Sequence, residues 1–355
     1  LGARFNNLSQ KITELIMSNK KVYIIAEAGV NHNGSVETAK QLIYEAKRIG
    51  ADCVKFQTFK ASQIVTQKSP KAAYQLEVTD KLESQYDMLQ KLELDHNSYK
   101  DLMDLCMEQE IDFMSTPYNI EDVDFLDSLG VSSFKIASGQ LTELPFLKYV
   151  AKKGKRIYLS TGMGTLANVY DAVEAIKSEG NDDLIVLQCT TNYPSNIEDA
   201  NILAMVSMGH SCNVQIGYSD HVANNYACYA AVSLGASVIE KHFTLDRTMA
   251  GPDHSSSLNP QEFEDLINGI RNIERSLGSP VKRPSKTELQ NSLGMKRGMV
   301  ASRKLVRGTV ITEEMIAYKR PLAGLPINML RDILGKKLSK ELNEDDVFDY
   351  DCIEW

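Results

Sequence analysis

The sequence predicts a (β/α)8 TIM barrel, an α/β fold, joined to a small C-terminal domain, and three observations carry that reading. Between Val22 and Thr244, short β-branched runs alternate with stretches of helical period, the pattern of repeated βα units around a parallel sheet. Eight such runs can be counted, which favours a closed barrel over an open doubly wound sheet. After the Gly-, Pro- and charge-rich segment GSPVKRPSKTE the texture changes: RKLVRGTVITEEMI reads as short strands around a turn at Gly308 rather than as a further βα unit.

The strand candidates are VYIIAEAGV from Val22, ADCVKFQTF from Ala51, IDFMSTPY from Ile111, VSSFKIAS from Val131, RIYLST from Arg156, DLIVLQCT from Asp183, VQIGYSD from Val214 and ASVIEKHFT from Ala236. Between them SVETAKQLIYEAKRIG, NSYKDLMDLCMEQE, LANVYDAVEAIKSEG and NNYACYAAVSLG read as helices, three of them closing at Gly50, Gly180 and Gly235. The stretch from Lys60 to about Asp95 is long for a loop in a compact domain and predicts a lid or small elements of its own. A helix from Gln261 to Leu277 closes the barrel. The predicted division is an extension over 1–20, a barrel over 21–280, a linker over 281–290 and a second domain over 291–355. In the extension, Leu8, Ile12, Leu15 and Ile16 fall at helical spacing and predict a short amphipathic helix on the barrel bottom.

Composition narrows the classes. A net charge of -8 and a pI near 5.4 speak against a broad nucleic-acid surface, while leaving room for a local cationic pocket. The six cysteines are scattered without a CxxC pair, as expected of reduced thiols in a cytoplasmic protein. No apolar run is long enough to span a bilayer, so no membrane partner is expected.

In such a barrel the C-terminal strand ends build the active site, and here almost every strand ends in a polar residue: Glu27, Lys55 with Gln57, Thr116, Lys135 with Ser138, Ser160, Thr191, Ser219 with His221, and His242. Lys55 and Gln57 share a face at period two, as do Glu240 and His242. Two strand-terminal lysines among three serines offer clustered cations and hydroxyl donors, which suit a small molecule carrying phosphate and carboxylate. His221 and His242 stand on neighbouring strands and could converge on one metal ion, although paired histidines without a local spacing motif are more often structural. Glu27 reads equally as a general acid or base and as a carboxylate orienting a neighbouring lysine. His32 and His254, in loops, have weaker claims.

The sequence resembles the sialic acid synthase family, the bacterial enzymes that make N-acetylneuraminic acid and its relatives legionaminic and pseudaminic acid. The runs that carry the resemblance are IIAEAGVNHNG, GADCVKFQTFKA, KAAYQ, ESQYDMLQKLEL, FMSTPYN, FKIASGQLTELPFL, LSTGM, CTTNYP, IGYSDH, VIEKHFTLDRTMAGPDH and, in the second domain, YKRP. They span nearly the whole chain in the family's order. The resemblance implies that the second domain is similar to type III antifreeze proteins (a SAF domain) and is swapped across a homodimer. It implies that Lys55, Gln57, Thr116, Lys135, Ser138, Ser160 and Ser219 hold phosphoenolpyruvate, that Tyr193 and Asp253 contact the sugar, and that Arg320 reaches the acyl-amino group from the neighbouring subunit. It also implies that His221 and His242 bind a divalent metal, manganese first and magnesium or cobalt otherwise, and that Glu27 handles protons.

The activity so implied is condensation of phosphoenolpyruvate with N-acetylmannosamine to give N-acetylneuraminate and phosphate. A legionaminic acid synthase acting on 2,4-diacetamido-2,4,6-trideoxymannose is the runner-up, and a non-catalytic sugar-binding barrel is the reading from another class. Two departures from the family pattern fall where the sugar would be read: Leu322, Ala323, Gly324 and Leu325 follow Pro321 where many members have a Gly-rich run, and Thr191 stands where some carry asparagine.

Overall fold

The computed structural model describes residues 21–72, 75–76, 79–80 and 82–355, so the extension over 1–20 and its expected helix lie outside the described residues. The chain divides into two compact units, one ending at Gly278 and one running Ser279–Trp355.

The first unit is the expected barrel. Its strands are β1 (Tyr23–Gly29), β2 (Cys53–Thr58), β3 (Asp112–Pro117), β4 (Ser133–Ile136), β5 (Arg156–Ser160), β6 (Leu184–Cys189), β7 (Gln215–Asp220) and β8 (Val238–His242), each inside one of the predicted runs. They form one parallel sheet in the order β3-β2-β1-β8-β7-β6-β5-β4. β3 and β4 lie side by side without a hydrogen-bonded ladder, so the barrel is nearly closed.

Helices pack outside: α1 (Val36–Arg48), α2 (His96–Glu108), α3 (Ile120–Leu129), α4 (Leu144–Ala151), α5 (Leu166–Lys177), α6 (Leu203–Cys212), α7 (Tyr226–Ser233) and α8 (Pro260–Leu277). Local chemistry sets their ends. Ser35 accepts from the Thr38 amide at the start of α1, and Asn259 with Glu262 makes a reciprocal cap on α8, whose first residue is Pro260. Apolar residues of the outward strand positions, such as Ile24, Val54, Phe56 and Ile239, are sealed by Leu42, Leu102, Leu147 and Phe263 from the helices. Each such fully buried side chain contributes about 1.5–3 kcal/mol.

The strands also alternate inward, and the barrel's lower interior is filled by Ile25, Cys53, Met114, Tyr158, Ile185, Leu187 and Val238. The long loop after β2 carries small elements as expected: a helical turn at Ala61–Ile64 and a short helix at Gln85–Gln90. Lys71, nearly fully buried, donates to Thr79 Oγ1, to the Asp80 carbonyl and to Glu83 Oε2 at 2.9 Å, and Lys91 also pairs with Glu83.

The second unit begins at Ser279, just before the predicted linker over 281–290, and a helix, α9 (Lys286–Met295), capped by Ser285 and Glu288, runs from that linker into the stretch read as the second domain. Two antiparallel pairs follow, β9 (Gly298–Ala301) with β10 (Ile316–Lys319), and β11 (Lys337–Leu338) with β12 (Ile353–Glu354). Gly308 takes a φ of 80°, which explains why the turn there needs glycine. Met299, Ala301, Leu305, Ile311, Leu325, Leu338 and Phe348 make a core of the unit's own.

Candidate active site

Two residues above the apolar layer, the inward positions of the same strands become charged. Glu27 on β1 is in register with Lys55 on β2 and with His242 on β8, and Ser219 on β7 is in register with Glu240 on β8. These side chains open into a cavity of about 340 Å³ at the C-terminal end of the barrel. Its wall includes Glu27, Lys55, Gln57, Thr116, Lys135, Ser138, Ser160, Tyr193, Ser219, His221 and His242, so eleven of the thirteen sequence-predicted site residues converge there. Asp253 lies just behind, its Oδ2 3.9 Å from His242 Nδ1. Arg320 belongs to the second unit, where it is exposed at the end of β10.

The charges are arranged as an alternating chain. Lys55 Nζ pairs with Glu27, donates to Thr116 Oγ1 at 3.1 Å and stands 3.8 Å from Glu240 Oε2. Lys135 Nζ is 3.2 Å from Glu240 Oε1, which also accepts from Ser219 Oγ at 2.9 Å. Burial works to raise the Glu240 carboxyl, but Lys135, then Lys55, and the Ser219 hydroxyl outweigh it and bring it to about 2. Glu240 is therefore a fixed anion. Glu27 goes the other way: burial dominates, and despite Lys55 its carboxyl is held above the usual range, with Glu240 adding to the effect. Environments that push two neighbouring carboxyls apart let one stay ionised while the other is able to take up a proton. Asp253, buried and near Glu27, is raised to about 6.

Several buried polar atoms at this end have no protein partner. Ser160 Oγ and Gln140 Oε1 are orphaned, while Gln140 Nε2 donates to the Tyr118 carbonyl at 3.1 Å. Between β4 and β5, the Gly162 amide donates to Ser138 Oγ at 3.0 Å. A Cβ at Gly162 would stand 2.2 Å from Thr191 Oγ1 and 2.8 Å from Ser138 Oγ, so only glycine permits this close approach. Lysine ammonium groups, free hydroxyls and a glycine-lined corner are a setting for a small dianion.

The histidines occupy the other side of the cavity, their rings 5.3 Å apart, with the Tyr193 ring 4.1 Å from His221 and 5.5 Å from His242. His221 Nδ1 lies 2.7 Å from the Thr190 carbonyl; donating there leaves the Nε2 lone pair free. Burial, then His221 and Lys55, keeps His242 well below the ordinary histidine range, so it is a neutral imidazole, and its buried Nδ1 has no hydrogen-bond partner. His221 goes the other way: burial works to lower it, but Cys189 and the Thr190 carbonyl outweigh burial and raise it above the ordinary histidine value, so it offers Nε2 on giving up that proton while His242 is neutral outright. Two imidazole nitrogens fit a first-row divalent ion that keeps open positions for oxygen ligands. Among the described residues no cluster of three or more His, Cys, Asp or Glu is arranged to hold a metal ion.

The sequence reading did not assign Glu240, Gln140, Tyr118, Ile64 or Cys189 to the site, yet all line the cavity. Glu240 had a signal, since it precedes His242 by the inward period of two. Ile64 had none, because it arrives on the turn within the long loop.

The chain matches the NeuB family over residues 42–282 and the SAF domain over residues 296–354. The chain belongs to the NeuB family. This NeuB-family chain is 44% identical over 330 residues to the N,N'-diacetyllegionaminic acid synthase of Campylobacter jejuni, covering 92% of the chain and 99% of that protein. It is 42% identical to the synthase of the same name from Legionella pneumophila, covering 92% of the chain and 93% of that protein. Among solved structures, the N-acetylneuraminic acid (sialic acid) synthetase of Leptospira borgpetersenii matches with a TM-score of 0.68 at 30% identity, over 77% of this chain and 90% of that one. The NeuB-family chain is thus an enzyme of the nonulosonic acid synthase type, with a C-terminal SAF domain. Among the described residues no helix is long and apolar enough to cross a membrane.

Proposed function

We propose that the chain condenses phosphoenolpyruvate with an open-chain acylamino hexose, forming a carbon–carbon bond and releasing phosphate. The observation that carries this reading is the buried Lys55 and Lys135 pair set among Thr116, Ser138, Ser160 and Ser219 at the barrel's C-terminal end. Their charge and hydroxyl donors suit the phosphate and carboxylate of phosphoenolpyruvate, and Gln57, tied to Glu27 and Tyr118, would complete that subsite.

His221 and His242 would hold a divalent ion, manganese in the first instance, which supplies Lewis acidity toward the sugar aldehyde. C3 of phosphoenolpyruvate then attacks that aldehyde, water adds at the cationic C2, and phosphate leaves with C–O cleavage. Protons pass from the added water and to the new hydroxyl. Glu27, kept above the usual carboxylate range by burial, is placed to carry them, while Glu240 stays ionised and orients both lysines. Tyr193 and Asp253 would contact the sugar. Arg320, exposed in the second unit, would reach the neighbouring subunit's sugar in a domain-swapped homodimer.

For the sugar, the two relatives at 44% and 42% identity are named as legionaminic acid synthases, against 30% for the sialic acid synthetase structure. That ordering favours 2,4-diacetamido-2,4,6-trideoxymannose over N-acetylmannosamine, the substrate the sequence suggested first. The test strips the purified protein with a chelator, restores manganese and follows phosphate release with each sugar. Faster turnover with the diacetamido sugar is expected; faster turnover with N-acetylmannosamine reverses the choice. No metal-dependent release with either sugar contradicts the proposed function.

A further inference from the structure

The outward faces of β7 and β8 carry an ion pair that the proposed chemistry does not use. Asp220 and Lys241 are in register with each other, one position from Ser219 and His221 on β7 and its continuation, and flanked by Glu240 and His242 on β8. Both are buried, with side-chain exposures of 0% and 2%, and they point away from the cavity because strand side chains alternate. Every polar atom of the pair is engaged. Asp220 Oδ1 accepts from the Tyr218 hydroxyl at 2.8 Å and from the Val222 amide at 2.9 Å. Its Oδ2 accepts from Cys228 Sγ at 3.1 Å and from Lys241. Lys241 spends its other two protons on the Val222 carbonyl at 2.6 Å and the Asn224 carbonyl at 2.9 Å.

The groups so fixed are the backbone just after His221, and the cation that fixes them is the residue just before His242. One ammonium therefore ties the segment that carries the first imidazole to the strand that carries the second. Stability alone does not call for such a device, since replacing a buried ion pair by apolar residues of similar volume is often neutral or stabilising. Geometry does: two nitrogen ligands on separate strands bind one ion only if their spacing is held, and groups behind the ligands commonly hold it.

We propose that Asp220 and Lys241 are positioning residues that set the spacing of His221 and His242 for a single divalent cation. The proposal rests on the two-histidine metal reading given above. Its test is the Mn2+ affinity of the full chain, read by the electron paramagnetic resonance signal of free Mn2+, alongside the spectrum of the bound ion and the melting temperature of the metal-free protein. The double variant Asp220→Leu with Lys241→Met should melt near the wild type, bind Mn2+ about 10- to 100-fold more weakly and show an altered bound-ion spectrum.

Tyr218→Phe, which removes a single donor to Asp220, should keep the fold and weaken Mn2+ by a smaller factor. A folded double variant with wild-type affinity and spectrum overturns the proposal. Where the double variant does not fold, wild-type affinity and spectrum in Tyr218→Phe overturn it. Wild-type protein that binds no Mn2+, or binds it as well after His221→Ala, overturns the metal reading itself and the positioning role with it; that failure appears without any change at Asp220 or Lys241.

Discussion

The lower and upper ends of the barrel interior are built by the same strands, one step of two residues apart, and they have opposite chemistry. On β1 the step runs from Ile25 to Glu27, on β2 from Cys53 to Lys55 and on β8 from Val238 to Glu240. Below, the filling is mainly apolar and the Tyr23 and Tyr158 rings stack with centroids 6.1 Å apart, the Tyr23 hydroxyl donating to Asp112 Oδ2 at 2.5 Å. Above, every buried cation faces a buried anion, and the polar atoms left over are those that a ligand would satisfy. The difference separates two tasks within one wall of sheet: the lower layer holds the barrel together, and the upper layer holds paired charges in place at the cost of leaving polar atoms such as Ser160 Oγ and His242 Nδ1 without a partner.

That separation is broken most sharply by a substitution above that costs stability, or one below that costs chemistry. His242→Ala should lower metal-dependent turnover by about 10^3-fold while barely moving the metal-free melting temperature, because the ring removed is neutral and has an orphaned nitrogen. Steady-state phosphate release and calorimetry on the same sample check both halves. Leu187→Ala, in the lower layer, should destabilise the fold by about 2–5 kcal/mol in denaturant titrations and leave kcat near wild type wherever the protein is folded.

A smaller effect sharpens the boundary of the upper end. His32, in the loop after β1, is buried, and burial followed by His254 lowers it to about 4 from an ordinary value near 6.5. Between those values the unfolded chain binds more protons than the folded one, so this residue makes stability fall as the pH drops from about 6.5 to 4. His32 Nδ1 accepts from the Gly34 amide at 3.0 Å, an interaction lost on protonation there. His32→Asn, which keeps an acceptor, should flatten the fall in melting temperature over that range; an unchanged slope would place the acid sensitivity elsewhere.

Much of this was legible in the sequence because two signals are local. Strand runs such as DLIVLQCT announce themselves by β-branched content, and strand-terminal polar residues announce the site once a barrel is granted. Helices α3, α4 and α6 gave weaker signals: α3 is rich in acids, α4 is only eight residues long, and α6, LAMVSMGHSC, is apolar with little sidedness. Helix α9 hid behind the Pro- and Ser-rich stretch that precedes it, although Ser285 and Glu288 form a capping pair. Within the site, Glu240 was visible as an inward residue but not as the anion shared by two lysines. That role depends on Lys55, Lys135 and Ser219 arriving from three other strands, which no single segment encodes. Gln140 and Ile64 likewise reach the cavity through the turn after β4 and the long loop after β2.

The most direct test of the account is the affinity for phosphoenolpyruvate itself, measured by isothermal titration calorimetry with wild-type protein and with folded Lys135→Met. If the upper layer is an anion cradle, the variant should bind about 10- to 100-fold more weakly, the loss of one charge-assisted hydrogen bond. Equal affinity in the two proteins would contradict it, and would mean that the paired lysines serve the fold alone.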